Sequence, residues 1–340
     1  MTVQKPAPAA RSPKDYASDQ EVRWCPGCGD YAILKAIQKT LADLDAPPEN
    51  TAFISGIGCA ARFPYYMETY GFHTIHGRAA AIATGAKLAN PDLDIWVVGG
   101  DGDSLSIGGN HLMHLLRRNV NLQDRLFNNG IYGRTQAQYS PTSHAGTRTP
   151  SSPGGSLEQP VHAAPFALGC GGRFVARCGD VQQKDLVAVL KRARAHAGTS
   201  FVEILQNCIV YNDGVFGHIM DKSVAAEAQI HLAHGEPLLF GENRNKGLRL
   251  RTSPLSLEVV TIGEDGVREE DILRHDETDL TLATMLARMD GPDYPVAMGV
   301  IYCDPAPSYD QQFKDAHPPR PQSRKALQDA LKSGYIWTVE

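Results

Sequence analysis

The stretch DIWVVGGDGDSLSIGGNHLMHLLRRN, residues 94–119, runs from an apolar segment through two glycines flanking an acid and into a helical repeat. DIWVVG has the continuous apolar character of a strand buried on both faces, and GGNHLMHLLRRN reads as a helix. Glycines at Gly100 and Gly102 let backbone amides approach a diphosphate closely, and the N-terminus of the following helix supplies donors and positive potential. Asp101, at the strand end, is placed to face a metal, since Mg²⁺ takes hard oxygen ligands and often bridges carboxylate to phosphate. By itself GDG fits an ordinary turn with a surface aspartate equally well. The FNNGIYG stretch gives it weight: 25 residues separate GDG from the Asn128–Asn129 pair, room for one helix and one strand, and Asn129 brings a second oxygen ligand to a strand end.

Outward from this stretch the punctuation is regular, with short apolar runs ending in glycine and helical periodicity between them. That pattern is α/β. A helix fits DYAILKAIQKTLADL, a strand TAFIS, a helix RAAAIATGAKLAN, a helix at about 161–169, a strand RFVARC, a helix KDLVAVLKRARAHA and a strand SFVEILQ. NLQDRLFNN is a weaker strand, because Asp124 and Arg125 interrupt its apolar run. Residues 133–160 are rich in Ser, Thr, Pro and Gly and longer than most connections, and loops of that kind usually carry function. Residues 1–20 read as a flexible arm, 21–225 as the body, and 226–340, where periodicity weakens until a helix near RKALQDALKS, as a C-terminal extension.

The chain has 340 residues, ample for a sizeable core without staples. Its 33 basic and 38 acidic residues give a formal charge of −5, which argues against nucleic acid as a partner. Seven cysteines is an odd count. With no apolar leader at the N-terminus, the expectation is a cytoplasmic protein with reduced thiols. No apolar run approaches the roughly 20 residues that cross a bilayer, so no membrane association is expected.

Cys59, Asp101, Asn129 and Cys208 each follow an expected strand. In an open parallel sheet the carboxyl ends share one edge, where ligands bind, so these four should converge. The pair Cys25 and Cys28 in WCPGCGDYAIL, taken alone, fits a redox disulfide, half of a zinc site or part of an iron–sulfur site.

Six blocks in order, CPGCGDYAIL, SGIGCAAR, HTIHGRAAAIATGAKLANP, GDGDSLSIGGNHLMHLLRRN, NNGIYGRTQAQYSPTS and FVEILQNC, resemble the β subunit of the 2-oxoacid:ferredoxin oxidoreductases. The similarity is strongest to the 2-oxoglutarate enzymes. It runs from about residue 20 to 225 and resumes at LKSGYIWTVE. The resemblance implies a thiamine diphosphate-binding fold with a mostly parallel sheet flanked by helices. It implies Mg²⁺ held by Asp101, the side chain of Asn129 and the carbonyl of Ile131. The diphosphate would lie over Gly100, Gly102, Asp103, His76 and Gly77, with Ile57 and Gly58 near the thiazolium. It further implies a 4Fe-4S cluster on Cys25, Cys28, Cys59 and Cys208, leaving Cys170, Cys178 and Cys303 as core thiols. The implied reaction is coenzyme A-dependent oxidative decarboxylation of 2-oxoglutarate, or its reverse, with electrons passed to ferredoxin. A separate α subunit would carry the pyrimidine-binding module, in an (αβ)₂ assembly. Relatives specific for 2-oxoglutarate commonly have leucine at the position of Arg134 and lysine–glycine at Gln136 and Ala137. That departure leaves pyruvate or a branched-chain 2-oxoacid as the alternative substrate, with Arg134 and Gln136 as candidate substrate contacts.

Overall fold

The computed structural model describes residues 11–318, 323–337 and 339. Among them the strands are β1 (Thr51–Ser55), β2 (Tyr70–His73), β3 (Asp94–Gly100), β4 (Gln123–Asn128), β5 (Ile131–Tyr132), β6 (Gln138–Tyr139), β7 (Phe174–Gly179), β8 (Ser200–Leu205), β9 (Gln229–Leu232), β10 (Leu239–Phe240), β11 (Lys246–Thr252), β12 (Leu255–Thr261) and β13 (Val296–Cys303). Eight of them make one sheet in the order β2-β1-β3-β4-β8-β7-β13-β9. From β2 to β7 every neighbouring pair is parallel; β13 runs antiparallel to β7, and β9 parallel to β13.

Successive strand residues point to opposite faces, and both faces are apolar here. Phe53, Trp96, Val98, Phe127, Phe174 and Ala176 share one core with Ile33, Ile37 and Leu41 of α1 (Asp30–Asp43). Ile54, Ile95, Val97, Leu126 and Val175 share the other with Ala83 of α2 (Ala79–Ala89) and with Leu112, Leu115 and Leu116 of α3 (Gly109–Arg118). α4 (Ala163–Gly169) packs on this second face, and α5 (Gln183–Ala195) lies with α1 on the first. Each fully buried Phe, Leu or Ile contributes about 1.5–3 kcal/mol, so the two cores fix the sheet and the carboxyl edge follows.

The doubtful strand is central. Every residue of β4 is buried, Asp124 and Arg125 included. The Arg125 guanidinium donates to the carbonyls of Asp124 and Ser200, to Ser200 Oγ and to Gln123 Oε1, and lies 4.9 Å from the centre of the Trp96 ring. Burial pulls its pKa down to about 9 and pushes that of Asp124 up to about 7. Neutral oxygens and a π face thus accommodate a charge that the apolar pattern does not foresee.

Two expected boundaries do not hold. Of the arm over 1–20, residues 1–10 lie outside the described residues, but 11–20 dock on the body: Tyr16 is fully buried and its hydroxyl donates to the Ala46 carbonyl at 2.6 Å. Arg11 pairs with Asp45, Ser18 Oγ donates to the Tyr65 carbonyl and Ala17 bridges to Met67, so a segment whose composition looks unstructured is held at several points. Nor is 226–340 an appendage. β9 and β13 complete the main sheet, while β10-β11-β12 form a second one that gives Leu248 and Leu257 to the same core. No helix among the described residues is long and apolar enough to cross a membrane.

Candidate functional site

At the end of β3 the chain passes through Asp101 into a π-helical turn, Gly102–Ile107, before α3 begins; such turns recur at functional sites. Asp101 is 2% exposed. Burial raises its pKa, against hydrogen bonds that lower it: Ser140 Oγ and Thr142 Oγ1 each lie 2.5 Å from Oδ2. Both hydroxyls come from the long loop expected to carry function. Thr142 Oγ1 also stands 2.9 Å from Asn128 Oδ1, and the Asn128 amide donates to Glu203 at 2.8 Å. Thr142 Oγ1 thus links Asp101 to the carboxamide oxygen of Asn128, which also accepts from the Gly130 amide at 3.3 Å. Asn129 Nδ2 donates to Gln206 Oε1 at 2.7 Å, its Oδ1 accepts from the Ile131 amide, and the Ile131 carbonyl accepts from the Gly133 amide.

Asp103 is 3% exposed and binds two other segments to the glycine turn. Its Oδ1 accepts from Gly77 N at 2.7 Å and Ile57 N at 3.1 Å, and lies 2.5 Å from His76 Nδ1. The carboxylate expected under a diphosphate is thus committed to the turns around it. A Cβ on Gly56 would lie 2.0 Å from Asp103 Oδ2, so β1 approaches this closely only because residue 56 is glycine. Gly77, at φ +68°, packs against Gly108 at the start of α3. Gly58, at φ +135°, and Gly100 have no atom within 3.8 Å of where a Cβ would stand. Open space therefore remains in front of both. Tyr132 covers Gly102: a Cβ there would be 2.2 Å from the ring, and the tyrosine hydroxyl donates to the Gly102 carbonyl at 2.9 Å.

Cys25, Cys28, Cys59 and Cys208 line one cavity of about 200 Å³, with Trp24, Asn129, Gly133 and Arg134 among its walls. Two thiols arrive on the CPGC turn before α1 and two from the ends of β1 and β8. The Trp24 indole donates to the Cys59 carbonyl at 2.7 Å, tying the first pair to the second. Burial pushes the Cys59 thiol up to about 11 and raises Cys28 further; it also raises Cys208, where the backbone amides of Tyr211, Val210 and Asn212 act in the opposite sense. All four sulfurs are free thiols. Among the described residues no three His, Cys, Asp or Glu side chains converge on a point that would hold a single ion; the sulfurs surround a space instead.

The two halves of the site adjoin. Gln206 accepts from Asn129 and its Nε2 lies 3.3 Å from Cys28 Sγ. A Cβ on Gly133 would stand 3.6 Å from Cys208 Sγ and 3.8 Å from Cys59 Sγ. One residue earlier, Tyr132 covers the glycine turn. Arg134 and Gln136 sit on the turn between β5 and β6, both exposed; Arg134 lines the cysteine cavity, and Gln136 and Ala137 hold φ of +74° and +71°. Neither is brought against Asp101. Positive φ at two successive non-glycine residues costs on the order of 1–3 kcal/mol each, consistent with the glycine that relatives commonly have at the second. Reading the sequence missed Ser140, Thr142, Asn128 and Gln206; the run of hydroxyls in YSPTS was the only signal for the first two.

A parallel sheet that gathers a buried aspartate, a glycine turn opening a helix and an asparagine-bearing strand at one edge defines a thiamine diphosphate-binding domain. Residues 56–204 match the family described as thiamine pyrophosphate enzyme, C-terminal TPP binding domain. The chain is 47% identical to 2-oxoglutarate oxidoreductase subunit KorB of Mycobacterium tuberculosis, over 96% of this chain and 88% of that one. It is 38% identical to 2-oxoglutarate synthase subunit KorB of Methanocaldococcus jannaschii, over 55% and 70%. The solved structure of 2-oxoglutarate:ferredoxin oxidoreductase from Magnetococcus marinus, with 2-oxoglutarate, coenzyme A and succinyl-CoA bound, superposes with a TM-score of 0.75 at 33% identity, covering 95% of this chain and 97% of that one. The chain belongs to the β subunits of the 2-oxoacid:ferredoxin oxidoreductases.

Proposed function

We propose that this chain is the half of a 2-oxoglutarate:ferredoxin oxidoreductase that holds the diphosphate end of thiamine diphosphate and a 4Fe-4S cluster. The reaction is coenzyme A-dependent conversion of 2-oxoglutarate to succinyl-CoA and CO₂, or its reverse, with electrons leaving to ferredoxin. One observation carries this reading: the step from Tyr132, which covers the Gly102 turn, to Gly133, which lies against the Cys59 and Cys208 sulfurs. The residue over the glycine turn and the residue against two of the sulfurs are neighbours in the chain, which suits a passage of electrons between coenzyme and cluster.

Thiamine diphosphate, when bound, supplies the carbanion chemistry that cleaves a 2-oxoacid beside its carbonyl. The residues present fit it. The open space at Gly100 and Gly58 admits a ligand against the backbone, and the amides opening the Gly102–Ile107 turn supply donors for phosphate. Asp103 engages His76 Nδ1, which leaves Nε2 available to a ligand. For Mg²⁺ the candidate donors are Asp101, Asn129 Oδ1 and the Ile131 carbonyl, with Asn128, joined to Asp101 through Thr142, as a further oxygen nearby. Four thiolates are what a 4Fe-4S cluster requires, and a cavity ringed by sulfurs suits a multi-atom cluster better than a closed zinc site with every ligand about 2.3 Å from one point.

The partner is an α subunit carrying the pyrimidine-binding module, in an (αβ)₂ assembly. Edge strand β2 and its surroundings support it: Tyr70, Phe72, Ile75 and Ile107 are 60%, 51%, 67% and 51% exposed, and the last two flank the His76–Gly77 turn and the helix it packs on. Apolar surface of that extent beside a cofactor site suits a covering subunit. For the substrate, Arg134 is the cation proposed to meet the distal carboxylate, with Gln136 beside it. A second reading, a pyruvate or branched-chain 2-oxoacid enzyme, draws on Gln136 and Ala137 standing in place of lysine–glycine.

The test is kcat/KM of the anaerobically purified αβ complex, with ferredoxin, across 2-oxoglutarate, pyruvate and branched-chain 2-oxoacids. The highest value should fall on 2-oxoglutarate, and Arg134→Ala should raise KM for it far more than for pyruvate. A preference for pyruvate establishes the second reading.

A further inference from the structure

We propose that the mouth of the cysteine cavity is the docking surface for a small acidic one-electron carrier protein, held by Arg23 and Arg62 and by the apolar rim of Ile209, Val210 and Tyr211. This rests on the cluster reading above and adds where the carrier sits and what recognises it.

The chain is acidic as a whole, with a formal charge of −5, yet three arginines, Arg23, Arg62 and Arg134, line this one cavity. The Arg23 side chain is 74% exposed and makes only a loose 3.5 Å pair with Glu21, itself 80% exposed. Such a pair contributes little and leaves the guanidinium free for another carboxylate. Arg62 donates to the Arg23 carbonyl at 2.8 Å, which ties its guanidinium to the segment that leads into Cys25. Cys25 is the one exposed thiol of the four, so the cluster's shortest route to solvent opens under these arginines.

Around them lie Ile209, Val210 and Tyr211, 41%, 55% and 42% exposed although they directly follow Cys208. The rim is built in place: a Cβ on Gly27, at φ +86°, would lie 2.8 Å from Ile209 Cδ1, so the CPGC turn and the Cys208 loop touch there. An aromatic and aliphatic centre bordered by arginine is the composition of a transient protein interface, and rim charges of one sign steer a partner of the other sign. Each turnover releases two electrons, so two carriers dock in succession. A weak, charge-steered contact permits that exchange.

The experiment uses the αβ complex, wild type and with Arg23→Glu or Arg23→Lys, and a purified 4Fe-4S ferredoxin of net negative charge. Its Kd is measured without substrate, at several salt concentrations, next to reduction of the small dye methyl viologen. Arg23→Glu should weaken ferredoxin binding by about tenfold and flatten its salt dependence, and Arg23→Lys should restore both. Dye reduction and the cluster absorption should be unchanged in all three. An unchanged Kd for Arg23→Glu overturns the proposal, and so does loss of the α subunit from that variant, since the patch would then belong to the αβ interface. A wild-type complex with no cluster absorption and no dye reduction overturns the cluster reading itself.

Discussion

Asp103 Oδ1 lies 2.5 Å from His76 Nδ1 and accepts from the Gly77 and Ile57 amides as well, so one buried oxygen locks three segments around the coenzyme site. Removing it leaves two amides and an imidazole without a partner, at about 1–3 kcal/mol for each buried group. Asp103→Ala should lower the melting temperature and raise the Kd for thiamine diphosphate with Mg²⁺ by at least about tenfold in a calorimetric titration. Asp103→Asn, which keeps one acceptor, should fall between. Unchanged affinity in the alanine variant would mean that the hub has no bearing on coenzyme binding.

Gly102 cannot carry a side chain under Tyr132, whose ring stands 2.2 Å from the position of a Cβ. Gly102→Ala should destabilise the protein by about 1–3 kcal/mol through overpacking. Adding Tyr132→Ala should recover part of that loss, although Tyr132→Ala is itself destabilising. A double-mutant cycle on denaturant midpoints measures the coupling; strict additivity would show that the ring yields freely.

The seven cysteines should divide into four and three. Serine at Cys25, Cys28, Cys59 or Cys208 should reduce bound iron and sulfide and the visible absorption of the anaerobic protein. Serine at Cys178, which is buried away from the cavity, or at Cys303 should leave them intact. Full iron content in all six variants would remove the cluster assignment.

Acid should weaken the fold through His275. This residue is 1% exposed, with Nε2 2.9 Å from the Val300 carbonyl and Nδ1 without a partner, and burial lowers its pKa. The unfolded chain takes up the proton near pH 6.5 while the folded chain resists it, so stability is present above that pH and lost as pH falls below it. Denaturant midpoints at pH 7.5 and 5.5 should show the fall, and His275→Gln should show a smaller one. His196, also buried and shifted the same way, keeps some pH dependence in the variant.

Much of this was legible in the sequence because the β3 and β1 runs, the glycine punctuation and the helical repeats depend on local pattern alone. The strand expected at TAFIS is Thr51–Ser55, and the four cysteines named from their blocks meet in one cavity. β4 was the weak point: a buried Arg125 is tolerable only because Trp96 and Ser200, distant in sequence, join its neighbour Gln123 as partners. β9 and β13 were obscured for a related reason, since a strand added to a sheet from the far end of the chain owes its place to a neighbour rather than to its own periodicity.

By itself, the order of residues determined a parallel α/β sheet and which residue types stand at its carboxyl edge, while the resemblance to a family grouped the four thiols. Only the tertiary structure decided that Thr142 joins Asp101 to Asn128, that the Asp103 carboxylate locks the surrounding turns, and that Arg134 borders the cysteine cavity. Strands and helices follow from patterns repeated along the chain, whereas strand order and the direction a side chain takes at a strand end depend on partners distant in sequence.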